Sequence, residues 1–523
     1  MTALARFGSA LWVMLDRPRT VVWLIIGYFA LHFVIRLLVS PVFSYDESEQ
    51  LQFSQIFAWG YQARHPPLMT WLTWTVLQVS GDAWVSLHAL KAVMMTIGFI
   101  AFFAAARRLV GAVRPAALAT IATTAFYPVG WLLHANLTHT VVMLLFMALV
   151  LWAVLVVVQD GRWRDYAVLG VVLGLGALTK YPFFLFAGGL VLAVLAVPAY
   201  RGAVSARGAL LAGTIALAIV APHAVWVLGQ WDAAAATGAT VMGHTAAPPW
   251  QSAWLFIVAV LEFSLPWSVL VALFLWPAVP GMWRRRAGTP GVDSAALVDA
   301  RRFLYWLIGG SMALFAAITV IGGASQVHQR WMHPVFMWAP ILVAVVLQIK
   351  PVRPWRLYGF ALSVAVLLVA VIGMRFVHYY GPEADGCNDC RQHAPVPALA
   401  GQMLDLGFRP GTVVVDDFFL GGNLRAVLGL DTRVIQAGYP VDVFAPVRGD
   451  GDCLATWRID PTGPVPDRLP DEIAQMMSGP LSVDAAALEA GTWTRAEAPM
   501  LQAPDRRYAV AVVWIDGGAG ACR

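Results

Sequence analysis

Nine apolar runs, each long enough to cross about 30 Å of hydrocarbon, punctuate this chain near 21–39, 86–106, 116–133, 140–158, 208–228, 253–280, 302–322, 334–349 and 356–374. A tenth, 166–199, is too long for one crossing. Lys180-Tyr181-Pro182 interrupts it, which divides it into 166–179 and 183–199. Eleven spans follow, to within one or two. Charge is correspondingly scarce: 12 % of residues are Asp, Glu, Lys or Arg, about half the share of a soluble domain. A disordered chain, a coiled coil and a nucleic-acid-binding protein are excluded, and a polytopic membrane protein remains.

The charge that is present is sorted by region. Residues 1–375 carry 24 Lys and Arg against 11 Asp and Glu, while residues 376–523 carry 11 against 19. The change of sign marks a boundary, with a membrane domain over 1–375 and an acidic soluble domain over 376–523. With the N-terminus inside, 18 basic residues fall on the inner face, including Arg6, Arg17, Arg19, Arg284, Arg285, Arg286, Arg301 and Arg302. The outer loops and helix ends hold six: Arg36, Arg64, Lys91, Lys180, Arg330 and Arg375. The positive-inside rule therefore orients the chain, and an odd number of spans sends the acidic domain outside. The first apolar segment is long and no small-residue cleavage site follows it, so no cleavable signal is expected. All four cysteines, Cys387, Cys390, Cys453 and Cys522, lie in the exported part. Disulfides suit an oxidising compartment, although Cys387-Asn388-Asp389-Cys390 also has the form of a redox pair or half a metal site.

The outer face gathers the unusual polar residues. In the loop 40–85, Ser44-Tyr45-Asp46-Glu47-Ser48-Glu49-Gln50 places three carboxylates beside the membrane and near Arg36, where desolvation is costly without a purpose. A capping box, Asp46 with Glu49 three residues on, is the plain alternative. Arg64-His65-Pro66-Pro67 follows; the prolines end a helix and hold two basic groups near the membrane plane, an arrangement suited to a phosphate. His134 and His139, Lys180, and the segment Gln326 to His333 with Arg330 lie at the same face. Singly, each reads as a snorkelling interface residue. Together they suit an enzyme acting on a phospholipid-linked substrate. Glu262 sits within an apolar segment, a functional candidate by depth, or else a neutral group bonded between helices. The histidines lack a short ligand spacing, so no metal cluster is indicated.

These residues resemble a known family. Asp46-Glu47 after the first span, Gly60-Tyr61 with His65-Pro66-Pro67-Leu68, Leu137-Thr138-His139-Thr140, Leu178-Thr179-Lys180-Tyr181 and Gln329-Arg330-Trp331-Met332-His333-Pro334 are similar to motifs of the integral-membrane GT-C glycosyltransferases. Within these, the likeness is to the family 39 and family 83 group of protein O-mannosyltransferases, lipid A aminoarabinose transferases and lipopolysaccharide galacturonosyltransferases. In the tail, Gly411 to Asp417 and Gly421-Gly422-Asn423-Leu424-Arg425 resemble the C-terminal domain of some members.

The resemblance implies an inverting transfer from a polyprenyl-phosphate sugar to an envelope glycan or lipid, lipid A or lipopolysaccharide core, at the periplasmic face of the bacterial inner membrane. It casts Asp46, with Glu47, as the catalytic carboxylate pair, and Arg64, His65, Lys180 and Arg330 as holders of the donor phosphate. Arg36, Glu49, Lys91, His139, Glu262 and His333 are additional candidates. His65 stands where the aminoarabinose transferases carry a lysine, and His139 where some relatives carry a carboxylate; the two departures leave the donor sugar and any divalent metal undetermined. No cofactor beyond the donor lipid and no nucleic-acid partner are implied, and a monomer is expected.

The tail alternates strand-like segments, Thr412 to Val415, Thr432 to Ile435, Leu454 to Ile459 and Tyr508 to Ile515, with helical runs near 396–407 and 471–478. An α/β domain that caps the active site or positions the acceptor is expected. The rival within the family is a protein O-mannosyltransferase-like enzyme. The rival from another class is a polytopic lipid or sugar transporter, which would show paired broken helices; the sequence shows one interruption, at Lys180.

Overall fold

The computed structural model describes residues 12–243, 247–283, 294–380, 391–409, 411–446, 452–516 and 522. Arg6, Arg284, Arg285, Arg286, Cys387 and Cys390 lie outside the described residues. Among those described, seven helices are long and apolar enough to cross a membrane, from Pro18–Val39 to Pro354–Tyr380. The chain is a multi-pass membrane protein. Shorter apolar helices complete the helical part, among them Trp163–Ala177, Phe183–Ala196 and Pro249–Ser264.

Three of the expected runs are built differently from a single straight helix. The long run breaks at Lys180-Tyr181-Pro182, between Trp163–Ala177 and Phe183–Ala196, as the proline requires. The run 253–280 is divided too: its helix stops at Ser264, Leu265 is extended, and a new turn starts at Trp267. The run 116–133 is helical only over Val113–Ala122. There the hydroxyls of Thr120, Thr123 and Thr124 donate back to the carbonyls of Ala116, Thr120 and Ile121 at 2.8, 2.7 and 2.6 Å. Such back-bonding bends a helix, and a 3-10 turn and a wider turn at Pro128–Leu132 follow.

The chain divides into two compact units: Met1–His32 with Gln62–Pro66 and Ala92–Ile372, and Phe33–Tyr61 with Pro67–Lys91 and Gly373–Arg523. In the first unit, small residues let helices approach closely. A Cβ at Gly170 would lie 2.7 Å from the Ala212 carbonyl oxygen, and one at Gly174 would lie 3.0 Å from Ala216, so Trp163–Ala177 packs directly on Ala206–Gly229. This is the close packing that glycines four apart permit in lipid.

The second unit contains helices α1 (Tyr45–Phe53), α2 (Val396–Asp405), α3 (Phe418–Leu428) and α4 (Asp471–Ser478), and a five-stranded sheet. The strands are β1 (Thr412–Val415), β2 (Arg433–Gln436), β3 (Cys453–Ile459), β4 (Thr492–Met500) and β5 (Ala503–Ile515). Their order is β2-β1-β3-β5-β4, with β2, β1 and β3 parallel and β5 and β4 antiparallel. Both faces of β1 are covered, Val414 by one apolar cluster and Val413 and Val415 by the other, as a short, all-apolar parallel strand demands. Cys453 at the start of β3 is joined to Cys522 in a disulfide.

Helix α1 is bound to this domain through α3. Gly421 and Gly422 make the approach possible, since a Cβ at Gly422 would lie 2.2 Å from the Ser48 carbonyl oxygen and one at Gly421 2.4 Å from Gln52 Nε2. Asn423 is then held at both ends of its side-chain amide. Its Oδ1 accepts from Phe43 N at 2.7 Å, and its Nδ2 donates to Ser48 Oγ at 2.9 Å and to the carbonyl oxygens of Phe419 and Phe43 at 2.9 and 3.2 Å. Gln55 pairs with the backbone of Val434 in both directions, at 2.7 and 2.9 Å. Each such buried bond contributes about 1 kcal/mol net.

Candidate active site

The sequence-selected residues gather in two places, one in each unit. In the second, Asp46 and Glu47 occupy the first turn of α1, where the positive helix end favours carboxylates. Asp46 is partly exposed, whereas Glu47 is 1 % exposed. Glu47 Oε2 accepts from Ser44 N at 2.9 Å, closing a capping box, so the cap is Ser44 with Glu47 and not Asp46 with Glu49. The same oxygen lies 3.1 Å from Arg36 Nη2 and 3.6 Å from His88 Nε2; Oε1 lies 3.4 Å from Lys91 Nζ. Burial pushes the Glu47 carboxyl up, but Arg36, Lys91 and His88 outweigh it and hold it well below its usual range.

Arg36 is itself fixed. It donates to the carbonyl oxygens of Ser40 and Val42 at 3.0 and 2.8 Å, and its guanidinium lies 5.0 Å from the Trp84 ring centre. His88 is stacked by Phe43 at 5.3 Å. Of the additional candidates, Arg36 and Lys91 are thus partners of Glu47, and His88 joins them unanticipated. No short motif could have revealed His88, which lies 41 positions from Glu47. Glu49 is buried on α1, with Gln50 Nε2 at 3.4 Å from its Oε2.

In the first unit, Arg64, His65, His139, Lys180 and Arg330 come together from segments spread over the sequence. The rings of His65 and His139 are 4.2 Å apart. Lys180 Nζ donates to Thr140 Oγ1 at 3.2 Å. His139 and Thr140 lie in the first turn of helix Thr138–Gln159, behind Leu137, a residue held at φ +63°. A left-handed leucine costs roughly 1–2 kcal/mol, and such strain collects at functional positions. The N-terminus of that helix adds its own positive potential.

Burial pushes the His65 imidazole well below its usual range, and neighbouring His139, Lys180, Arg64 and Arg330 push it further. His65 is consequently neutral, and its buried Nδ1 has no hydrogen-bond partner among the described residues. His328 is lowered by the same causes, burial first and then Arg330 and Arg64. His333 is fully buried, its Nδ1 2.6 Å from the Arg330 carbonyl oxygen. Glu262 stands exposed on helix Pro249–Ser264, on the surface of the unit. The His65–His139 pair offers two nitrogens of the kind metals use; a search for short ligand spacing passes over it, because the rings come from positions 74 apart.

The basic group of the first unit can neutralise an arriving anion; in the second unit, Asp46 is a carboxylate on a helix end. The fold matches the crystal structure of ArnT from Cupriavidus metallidurans bound to undecaprenyl phosphate, with TM-score 0.56 over 94 % of this chain and 97 % of that one at 14 % identity. The apo form of that protein matches at 0.54 and 16 %, over 93 % of this chain and 97 % of that one. The chain has the GT-C fold.

The family described as dolichyl-phosphate-mannose-protein mannosyltransferase matches residues 64–226. Two curated relatives from Rhizobium johnstonii match over nearly the whole length. Lipopolysaccharide core galacturonosyltransferase RgtA is 26 % identical over 88 % of this chain and 91 % of its own, and RgtB is 24 % identical over 94 % and 97 %. Lipid A galacturonosyltransferase RgtD, from the same organism, is 25 % identical over 67 % and 70 %. The chain is a membrane glycosyltransferase.

Proposed function

We propose that this enzyme transfers a sugar, a uronic acid of the galacturonate type, from a polyprenyl-phosphate donor to lipopolysaccharide core or lipid A. The reaction is placed at the periplasmic face of the inner membrane, with the N-terminus cytoplasmic and the domain over 376–523 periplasmic. The observation that carries this reading is the cluster of Arg64, His139, Lys180 and Arg330 around a neutral His65. A phosphodiester becoming a phosphate monoester develops negative charge on the leaving oxygen, and fixed cations stabilise that charge. The three galacturonosyltransferase relatives support the sugar and the acceptor class, and the ArnT complex supports a polyprenyl phosphate.

Asp46 takes the proton of the acceptor hydroxyl as its oxygen attacks the anomeric carbon. The bond from that carbon to the phosphate oxygen breaks, the configuration inverts, and polyprenyl phosphate leaves. Glu47, drawn into a closed group with Arg36, Lys91 and His88, is a positioning residue: it fixes the first turn of α1 and with it Asp46. Arg36 and Lys91 then act on Glu47 and not on the donor.

The test is mass spectrometry of envelope lipids and glycans from cells with and without the gene, followed by transfer assays with purified protein. Loss of a hexuronic-acid increment from lipid A or core supports the reading. Loss from a protein instead would move the enzyme to the O-mannosyltransferase-like alternative. Asp46→Asn should lower turnover by about 10²–10⁴-fold, the range of a general base, with donor binding retained; full turnover would remove Asp46 from the reaction.

A further inference from the structure

A cavity in the first unit takes no part in the chemistry above. It measures about 340 Å³ and lies where Trp12, Asp16 and Arg114 meet the segment 340–360. Its walls are apolar, from Leu118, Ala122, Leu275, Val343, Leu347 and Phe360. Its rim is aromatic and carries one ion pair: Trp12 packs on Tyr358 at 4.5 Å, and the Arg114 guanidinium lies 5.2 Å from the Trp12 ring centre and pairs with Asp16. Two buried donors on the lining have no acceptor among the described residues, Arg114 Nε and Trp267 Nε1. Trp267 is 8 % exposed. An indole N–H and a guanidinium N–H left without acceptors are costly in an apolar wall, and both call for an oxygen-bearing ligand.

The chain around the lining residues adds charge of one sign. Pro351 and Val352 line the cavity between Lys350 and Arg353, Leu357 follows Arg356, and Asp16 precedes Arg17. Arg356 is drawn to the bundle, with its guanidinium 4.7 Å from the Trp355 ring centre and 5.8 Å from that of Trp276. An apolar slot with an aromatic rim, flanked by the basic positions Arg17, Lys350, Arg353 and Arg356, is the form of an anionic-lipid site. A neutral or zwitterionic lipid gains little from such a rim, and a soluble anion gains nothing from the apolar wall.

We infer that this cavity is a binding site for an anionic diacyl phospholipid of the phosphatidylglycerol type. One acyl chain occupies the apolar slot, and the ester and phosphate oxygens face the orphan donors. The site belongs to the Arg-rich end of the bundle and stands independently of the sugar and acceptor assigned above.

Native mass spectrometry of the delipidated full-length protein tests it, with phosphatidylglycerol, phosphatidylethanolamine and undecaprenyl phosphate titrated separately. The wild type should retain one phosphatidylglycerol, about tenfold more tightly than phosphatidylethanolamine. Leu118→Trp, which fills the slot, should abolish retention, and Arg114→Gln should erase the headgroup preference without closing the slot. Equal affinity for the two headgroups, or a preference unchanged in Arg114→Gln, overturns the proposal. So does tighter retention of undecaprenyl phosphate that Leu118→Trp removes, which would make the cavity a polyprenyl site. If Leu118→Trp does not fold, the headgroup comparison in Arg114→Gln still decides.

Discussion

Glu47 and His65 are held by the same two agents, burial and neighbouring cations, and the agents act on them in different senses. For Glu47, burial disfavours the charge while Arg36, Lys91 and His88 favour it, and the cations win. For His65, burial and its neighbours His139, Lys180, Arg64 and Arg330 all disfavour a proton. The first arrangement is closed, because a central anion satisfies the cations around it. The second places Lys180, Arg64 and Arg330 about a neutral ring. Counting charged residues therefore does not distinguish a structural group from a binding group; the sign at the centre does.

The comparison makes graded predictions. Glu47→Gln keeps the size of the side chain but removes the negative charge that Arg36 and Lys91 face. Removing one partner of a buried ion pair costs about 3–5 kcal/mol, so thermal unfolding in detergent should shift down sharply. Because its folded carboxyl is held below the unfolded value, Glu47 contributes above the usual carboxylate range, and that contribution is lost as pH falls. A melting temperature unchanged by the substitution would break the contrast with His65.

Lys180→Ala removes one cation from beside the neutral His65 ring, so stability should change little and donor binding more. Loss of one charge-assisted hydrogen bond, about 1.5–3 kcal/mol, predicts about 10- to 100-fold weaker polyprenyl-phosphate affinity by calorimetry. Unchanged affinity would remove Lys180 from the phosphate site.

The smallest effect belongs to Asp416, which follows β1 and whose carboxyl is raised from the usual 3.8 to about 6 by burial and by the charges of Asp417 and Glu472. A carboxyl with a raised folded pKa favours the fold at low pH, and the advantage disappears as pH rises through about 4 to 6. Asp416→Asn should therefore stabilise the protein modestly at pH 7.5 and hardly at pH 4, as followed by melting. A larger gain at pH 4 would contradict the assigned direction.

Much of the fold was legible in the sequence because membrane segments and short parallel strands announce themselves by composition. The break at Lys180-Tyr181-Pro182 and the strands β1, β2, β3 and β5 could be read locally. Helix α3 could not, since Gly421-Gly422 weakens its helical signal; those glycines serve contact with Ser48 and Gln52, more than 360 residues away. Strand β4 is hidden by Pro499, which falls at the register shift between β4 and β5, where a strand tolerates proline. The candidate site divides in the same way. Asp46-Glu47 and Arg64-His65 are visible as local clusters. That Glu47 belongs to Arg36, His88 and Lys91 depends on tertiary pairing, which spacing does not encode.

The attachment of α1 to α3 also has a consequence for how the protein is made. Phe43 N must find Asn423 Oδ1, a partner synthesised 380 positions later. At about 5–20 residues per second, Asp46 leaves the ribosome roughly twenty to eighty seconds before the surface that fixes its helix. A nascent or prematurely terminated chain can insert its helices and still lack an ordered first turn of α1, so competence for transfer arrives only as translation nears its end.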